Sequence, residues 1–185
     1  MDRDLVEQAR GGDRDAFARL AATKITRLDA VARLITRDPE RAKDAVQEAL
    51  ARAWRDLPTL RDPDRFDAWL RRLLVRACID ELRHVRRRAF EVELTAAYQP
   101  AIDDSSIALA DRDALERGFR RLDPEQRSVV VLHYYLGLSL EEAADSLGVP
   151  VGTVKSRLHR AREALRSALD ADARDLGELR EGRFA

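Results

Sequence analysis

The segment from Leu138 to Leu165, LSLEEAADSLGVPVGTVKSRLHRAREAL, constrains the fold most, because it is consistent with little except two helices joined by a tight turn. Ser139 predicts an N-cap, and Glu142 three residues on completes a capping box. Ala143, Ala144 and Leu147 give the first helix a small apolar stripe that lets a second helix cross closely. Gly148 ends it, and Val149 to Gly152 supply the turn. At about 100° per residue, Val154, Leu158, Ala161 and Leu165 fall on one buried stripe of the second helix. Ser156, His159 and Glu163 face away from it, flanked by Thr153, Lys155 and Arg160. A helical hairpin whose outer helix opens with cationic and hydrogen-bonding side chains can enter the major groove of DNA. The bland alternative is a hairpin with a solvated basic face.

Taken whole, the net charge argues against a nucleic-acid partner, since 34 Lys and Arg balance 34 Asp and Glu over 185 residues. Divided along the chain, it argues for one. Residues 69–90 hold seven arginines against Asp80 and Glu81, net +5; residues 91–116 are −6; residues 151–168 are +4. Two basic helices are separated by an acidic stretch. With 45% hydrophobic and 5% aromatic residues, few Gly and Pro and helical periodicity throughout, the expected fold class is all-α. No apolar run reaches membrane-spanning length and the N-terminus lacks a hydrophobic signal region. Cys78, the single cysteine, fits a reducing cytoplasm.

The expected organisation is a helical unit over residues 1–90, an acidic linker over 91–106, a second helical unit over 107–170 and a frayed tail over 171–185. In the first unit, Leu5, Val6 and Ala9 mark one helix. Leu20, Ile25, Leu28, Val31, Ala32 and Ile35 mark a second. Asp38-Pro39 starts a third, Asp as N-cap and Pro at the first helical position. Its polar face carries Asp44, Gln47 and Glu48, which read on their own as a solvated surface. Beyond the loop holding Arg61 and Arg65, the run from Phe66 to Arg88 has an apolar stripe with Arg71, Arg72, Arg76, Arg83 and Arg87 on exposed positions, suited to phosphate contact. The linker, with Pro100 and an Asp-Asp-Ser-Ser cluster, reads as extended. In the second unit Ile107, Leu109, Ala110, Ala114, Leu115 and Phe119 give a helix. Asp123-Pro124 caps the next, with Val129, Val130, Leu132 and Tyr135 on its buried side.

Taken in order, these stretches resemble a bacterial RNA polymerase sigma factor of the extracytoplasmic-function group. Asp44-Ala45-Val46-Gln47-Glu48-Ala49 with Trp54 resembles the family's core-polymerase-binding helix. Phe66 through Arg83 resembles the helix that engages the minus-10 element. Leu122 to Arg127 and Gly152 to Arg162 resemble the domain that reads the minus-35 element. The resemblance covers about residues 5–90 and 107–168. It implies a non-catalytic subunit that binds core polymerase, through the clamp of the largest subunit and the flap region of the second-largest, and that directs promoter recognition, melting and initiation. It implies core contacts at Asp44, Gln47 and Glu48. It implies minus-10 contacts at Arg61, Arg65, Arg72, Arg76, Asp80, Arg83 and Arg87, with the Arg61–Arg65 loop near an extruded base. It implies minus-35 contacts at Thr153, Lys155, Ser156, Arg157, His159 and Arg160, Arg157 toward the backbone. An anti-sigma factor, a cytoplasmic and nucleoid-associated location, no metal, no cofactor and no small-molecule substrate belong to the same expectation. Arg76 departs from the family, which often has Asn there, and this leaves the minus-10 preference open.

A response-regulator-type transcription factor also uses a Gly-Thr-Val-Lys helix-turn-helix, but it needs a receiver with a parallel sheet. Residues 1–90 carry helical periodicity and no β-branched runs. An enzyme is a poor fit. His84, His133 and His159 lie in separate helices without metal-ligand spacing, and no nucleophile motif or Gly-rich phosphate loop is present.

Overall fold

The computed structural model describes the backbone of residues 2–93 and 117–181, and side chains over 3–84 and 117–170. Every regular element among the described residues is helical. The acidic linker from residue 94 on and residues 107–116 of the helix expected from Ile107 to Phe119 lie outside the described residues, as does the side chain of Arg87.

Helix α1 (Asp2–Arg10) breaks at Gly11-Gly12, and Asp13 caps α2 (Arg14–Thr36) by accepting the N–H groups of Asp15 and Ala16. Asp38 caps α3 (Pro39–Asp56) in the same way, accepting from Glu40 and Arg41, with Pro39 opening the helix. The buried side of α3 is Ala42, Ala45, Val46, Ala49 and Ala53. Side chains this small let α2 and α4 (Phe66–Glu93) both pack closely against it. Leu20, Ile35, Leu57, Leu70, Leu74 and Val75 are fully buried in this first core, each contributing about 1.5–3 kcal/mol. Phe17 packs on Trp54 at 5.2 Å between ring centroids. Two 3₁₀ turns, Leu57–Thr59 and Pro63–Arg65, form the loop before α4.

In the second unit residues 117–121 are helical, and α5 (Pro124–Val130) starts with a capping box. The Asp123 carboxylate accepts the Gln126 N–H at 2.7 Å, and Gln126 Oε1 accepts the Asp123 N–H at 3.1 Å. The helix then widens into a π-turn over Val131–Tyr135, where the Leu136 N–H donates to the Val131 carbonyl five residues back. The hairpin follows: α6 (Leu140–Leu147), then α7 (Val151–Glu181).

Four expectations change. Tyr135 is 56% exposed, because a π-turn rotates less per residue than the α-helix on which its burial was reckoned. Ile25 is 46% exposed, since it sits about 140° around α2 from Leu20. The tail is not frayed from residue 171: α7 continues to Glu181 through a stretch rich in Ala, Arg, Leu and Glu, all strong helix formers. Helix α4 likewise runs to Glu93, past the expected linker start.

Candidate nucleic-acid interface

The hairpin is built by its caps. Ser139 Oγ accepts the Glu142 N–H at 3.1 Å, and Glu142 Oε2 accepts the Ser139 N–H at 2.9 Å. Hydrogen bonding to the carboxylate by the Ser139 N–H, and next by its hydroxyl, holds the Glu142 carboxyl below the usual glutamate range. Upstream, His133 Nδ1–H donates to the Leu138 carbonyl at 2.7 Å and ties the π-turn to the start of the hairpin. Gly148 takes a left-handed conformation (φ 65°) and donates its N–H to the Ala144 carbonyl, so the turn is three residues, Gly148 to Pro150. Val151 and Gly152, expected in the turn, are already helical.

Ala143 and Ala144 on α6, and Val154, Leu158 and Ala161 on α7, are buried where the two helices cross. That burial leaves Lys155, Ser156, His159 and Arg160 exposed on the outer face of α7 and Thr153 and Arg157 half-buried at its edges. Ser156 Oγ–H donates to the Thr153 carbonyl at 2.9 Å, which leaves its oxygen free to accept. His159 Nε2 lies 3.4 Å from Glu163, one turn on. The exposed set thus begins just past the first turn of α7.

The residues expected at the minus-10 element divide into three places. Arg61 and Arg65 are exposed in the loop ahead of α4, Arg65 with Asp62 at 3.6 Å. Asp80 faces α3 instead: Arg52 spans Glu48 at 2.5 Å and Asp80 at 3.4 Å. The Glu48 hydrogen bond is the main reason that the Arg52 guanidinium holds its proton above the usual range. Asp44, Glu48, Asp80, Glu81 and His84 line one cleft of about 250 Å³, so Asp80 joins the face expected to bind core polymerase, with Gln47 exposed on the same helix. Arg72, Arg76 and Arg83 are brought together on the α4 face that meets the second unit. There Arg72 Nη1 is 3.5 Å from Asp145 and Arg83 Nη2 donates to Glu125 at 3.1 Å. Arg76 reaches to 3.0 Å of the point where Gly148 would carry a Cβ.

Sequence reasoning missed Arg52, Glu125 and Asp145. Arg52 had a signal, its i,i+4 spacing from Glu48. Glu125 and Asp145 had none, since their partners are 42 and 73 residues away in the chain. Among the described residues no three His, Cys, Asp or Glu side chains are grouped to hold a metal ion, and no helix is long and apolar enough to cross a membrane.

Comparison with known proteins matches two family models, Sigma-70 region 2 over residues 23–88 and Sigma-70, region 4 over residues 112–165. The chain is 41% identical to the RNA polymerase sigma-E factor of Streptomyces coelicolor, covering 82% of this chain and 88% of that protein. It is 36% identical to the ECF RNA polymerase sigma factor SigM of Mycobacterium tuberculosis, covering 98% and 87%. Among solved structures, the fold is similar to CnrH in complex with the cytosolic domain of CnrY (TM-score 0.63, 35% identity, 92% of this chain and 98% of that one). It is also similar to the sigma factor RpoE in complex with the anti-sigma factor NepR from Bartonella quintana (TM-score 0.65, 26% identity, 84% and 98%).

Proposed function

This chain belongs to the extracytoplasmic-function family of RNA polymerase sigma factors, and from that premise we propose a division of its surface between promoter and polymerase. The unit of residues 1–90 carries the core-binding face (Asp44, Gln47, Glu48), which Asp80 joins, and the minus-10 face (Arg61, Arg65, Arg72, Arg76, Arg83, Arg87). The unit of residues 107–170 reads the minus-35 element with Thr153, Lys155, Ser156, His159 and Arg160, Arg157 holding backbone. The protein does no chemistry of its own. It binds core RNA polymerase in the cytoplasm, locates promoter DNA, and helps open the duplex by accepting bases that have left the stack, a step costing a few kcal/mol per base. Relatives of similar fold are bound to anti-sigma factors, which supports the same form of control here.

The observation that carries this reading is the exposed set Lys155, Ser156, His159 and Arg160 at the start of a helix whose opposite face is buried. Side chains so placed meet base edges while the rest of the hairpin contacts backbone. Joint placement of Asp80 with Asp44 and Glu48 favours a core-facing role for Asp80 over direct DNA contact, because a carboxylate repels phosphate. The test is reconstitution. Purified chain plus core polymerase, supplied with genomic fragments, is expected to yield transcripts from a discrete promoter set sharing two upstream elements. No promoter-selective transcript on any fragment would end the assignment.

A further inference from the structure

The sequence puts Arg71 on an exposed position of α4; the fold instead half-buries it in a cleft between α2 and α4. We propose that this cleft, of about 190 Å³, binds a small amphiphilic carboxylate, with its apolar body on a floor of aliphatic side chains and its anion on the Arg71 guanidinium. The cleft shares no residue with the promoter and core faces proposed above, so the inference stands apart from them.

The floor is apolar throughout. Leu28 and Val31 of α2 and Leu70 and Leu74 of α4 are buried there, and Leu136, from the end of the π-turn, adds a fifth aliphatic side chain. The rim is cationic. Lys24, Arg27 and Arg71 stand against one carboxylate of the cleft, Asp67. Lys24 already holds that carboxylate at 2.9 Å, which leaves both arginines without an acid in the cleft.

Arg71 is the group that calls for a ligand. Its Nε is buried and has no hydrogen-bond partner among the described residues, whereas buried polar groups in folded chains are almost always paired. Burial is the main reason that its proton is held less firmly than usual. Glu142, the strongest opposing influence, is committed to the Ser139 N–H as part of a cap. A guanidinium presents a carboxylate with parallel N–H groups in a planar fork, and Nε is one member of such a fork. A bare inorganic anion would fill the fork and leave the aliphatic floor wet; a neutral hydrocarbon would do the reverse. At about 30 Å³ for each water-sized group, the cleft takes about six such groups, which suits a carboxylic acid of about six to eight carbons and is too small for a nucleotide.

The test is equilibrium dialysis of the full chain against radiolabelled hexanoate, with butanoate, hexanamide and inorganic phosphate as competitors. One equivalent is expected to bind saturably, with a dissociation constant on the order of 1 mM or tighter. Butanoate should bind about 15-fold more weakly, about fourfold for each of two methylenes withdrawn from the floor. Hexanamide and phosphate should each bind at least about 10-fold more weakly than hexanoate. Arg71→Met keeps the length and the apolar stem of the side chain and should weaken hexanoate about 10-fold, with Arg71→Lys between it and the native chain. Leu136→Ala removes apolar wall and leaves the anion site, so it should weaken hexanoate and hexanamide by the same factor. Far-UV circular dichroism checks that each variant keeps its helices, and the ligand series on the native chain carries the test by itself for any that does not. No saturation at ten times the expected concentration would overturn the proposal, as would phosphate or hexanamide binding as tightly as hexanoate. Unchanged affinity in folded Arg71→Met would overturn it too, because the ligand would then sit elsewhere.

Discussion

At the scale of single residues, the outer face of α7 makes the plainest prediction. Lys155 and Arg160 are exposed and have no role in the buried crossing with α6. Lys155→Ala and Arg160→Ala should therefore leave the fold intact and weaken use of the upstream promoter element, by about 1–3 kcal/mol where a base edge is contacted. Reconstituted transcription from promoters with and without that element separates the two effects. Loss of helicity in either variant would mark the residue as structural. Cys78 is the opposite case: it is fully buried, and burial pushes its thiol up to about 12. The thiolate is the reactive form, so native protein should resist alkylation near neutral pH and react only in denaturant. Rapid native labelling would show that α4 opens locally around residue 78.

Among elements, the seam between α4 and α5 gives a pH dependence whose sign follows from Glu125. Burial alone would raise its carboxyl, but its own backbone N–H, then Arg83, then Arg157 outweigh burial and depress it in the fold. Its stabilising effect is therefore complete above about 4.3, the ordinary glutamate value, and is lost as pH falls through the lower folded value. Scattering from the native chain should show expansion on acidification in that range; Glu125→Gln should already be expanded and change less. An identical response from both would remove Glu125 as the cause. Elements were also what the sequence displayed best. Asp38, Asp123 and Ser139 are strong caps that act within a turn of their own position, and both the hairpin and the arginine-rich helix follow from local periodicity. What could not be read was either a departure from the helical period, as at Tyr135 in the π-turn, or a pairing between distant segments. Arg83 and Arg72 were recognised as exposed cations suited to phosphate. Nothing in their neighbourhoods in sequence pointed to Glu125 and Asp145.

For the molecule as a whole, packing among α2, α3 and α4 is dense, and packing across to α5 and α6 is sparser. Interfaces of that kind within a chain behave like transient ones. Leu132 is fully buried in the second unit, and Leu132→Ala should cost about 2–5 kcal/mol. Trp54 and Trp69 both belong to the first unit, so their fluorescence should keep its melting midpoint while ellipticity gains an earlier step. A tryptophan midpoint that moved with the whole would mean that the two units unfold as one. Gly148 stands where these scales meet. It terminates α6 in a conformation that favours glycine, and it also leaves the space into which Arg76 extends. Any side chain there strains the turn and crowds the arginine at once. A substitution at this position therefore acts on the angle of the DNA-reading hairpin and on its approach to α4 together.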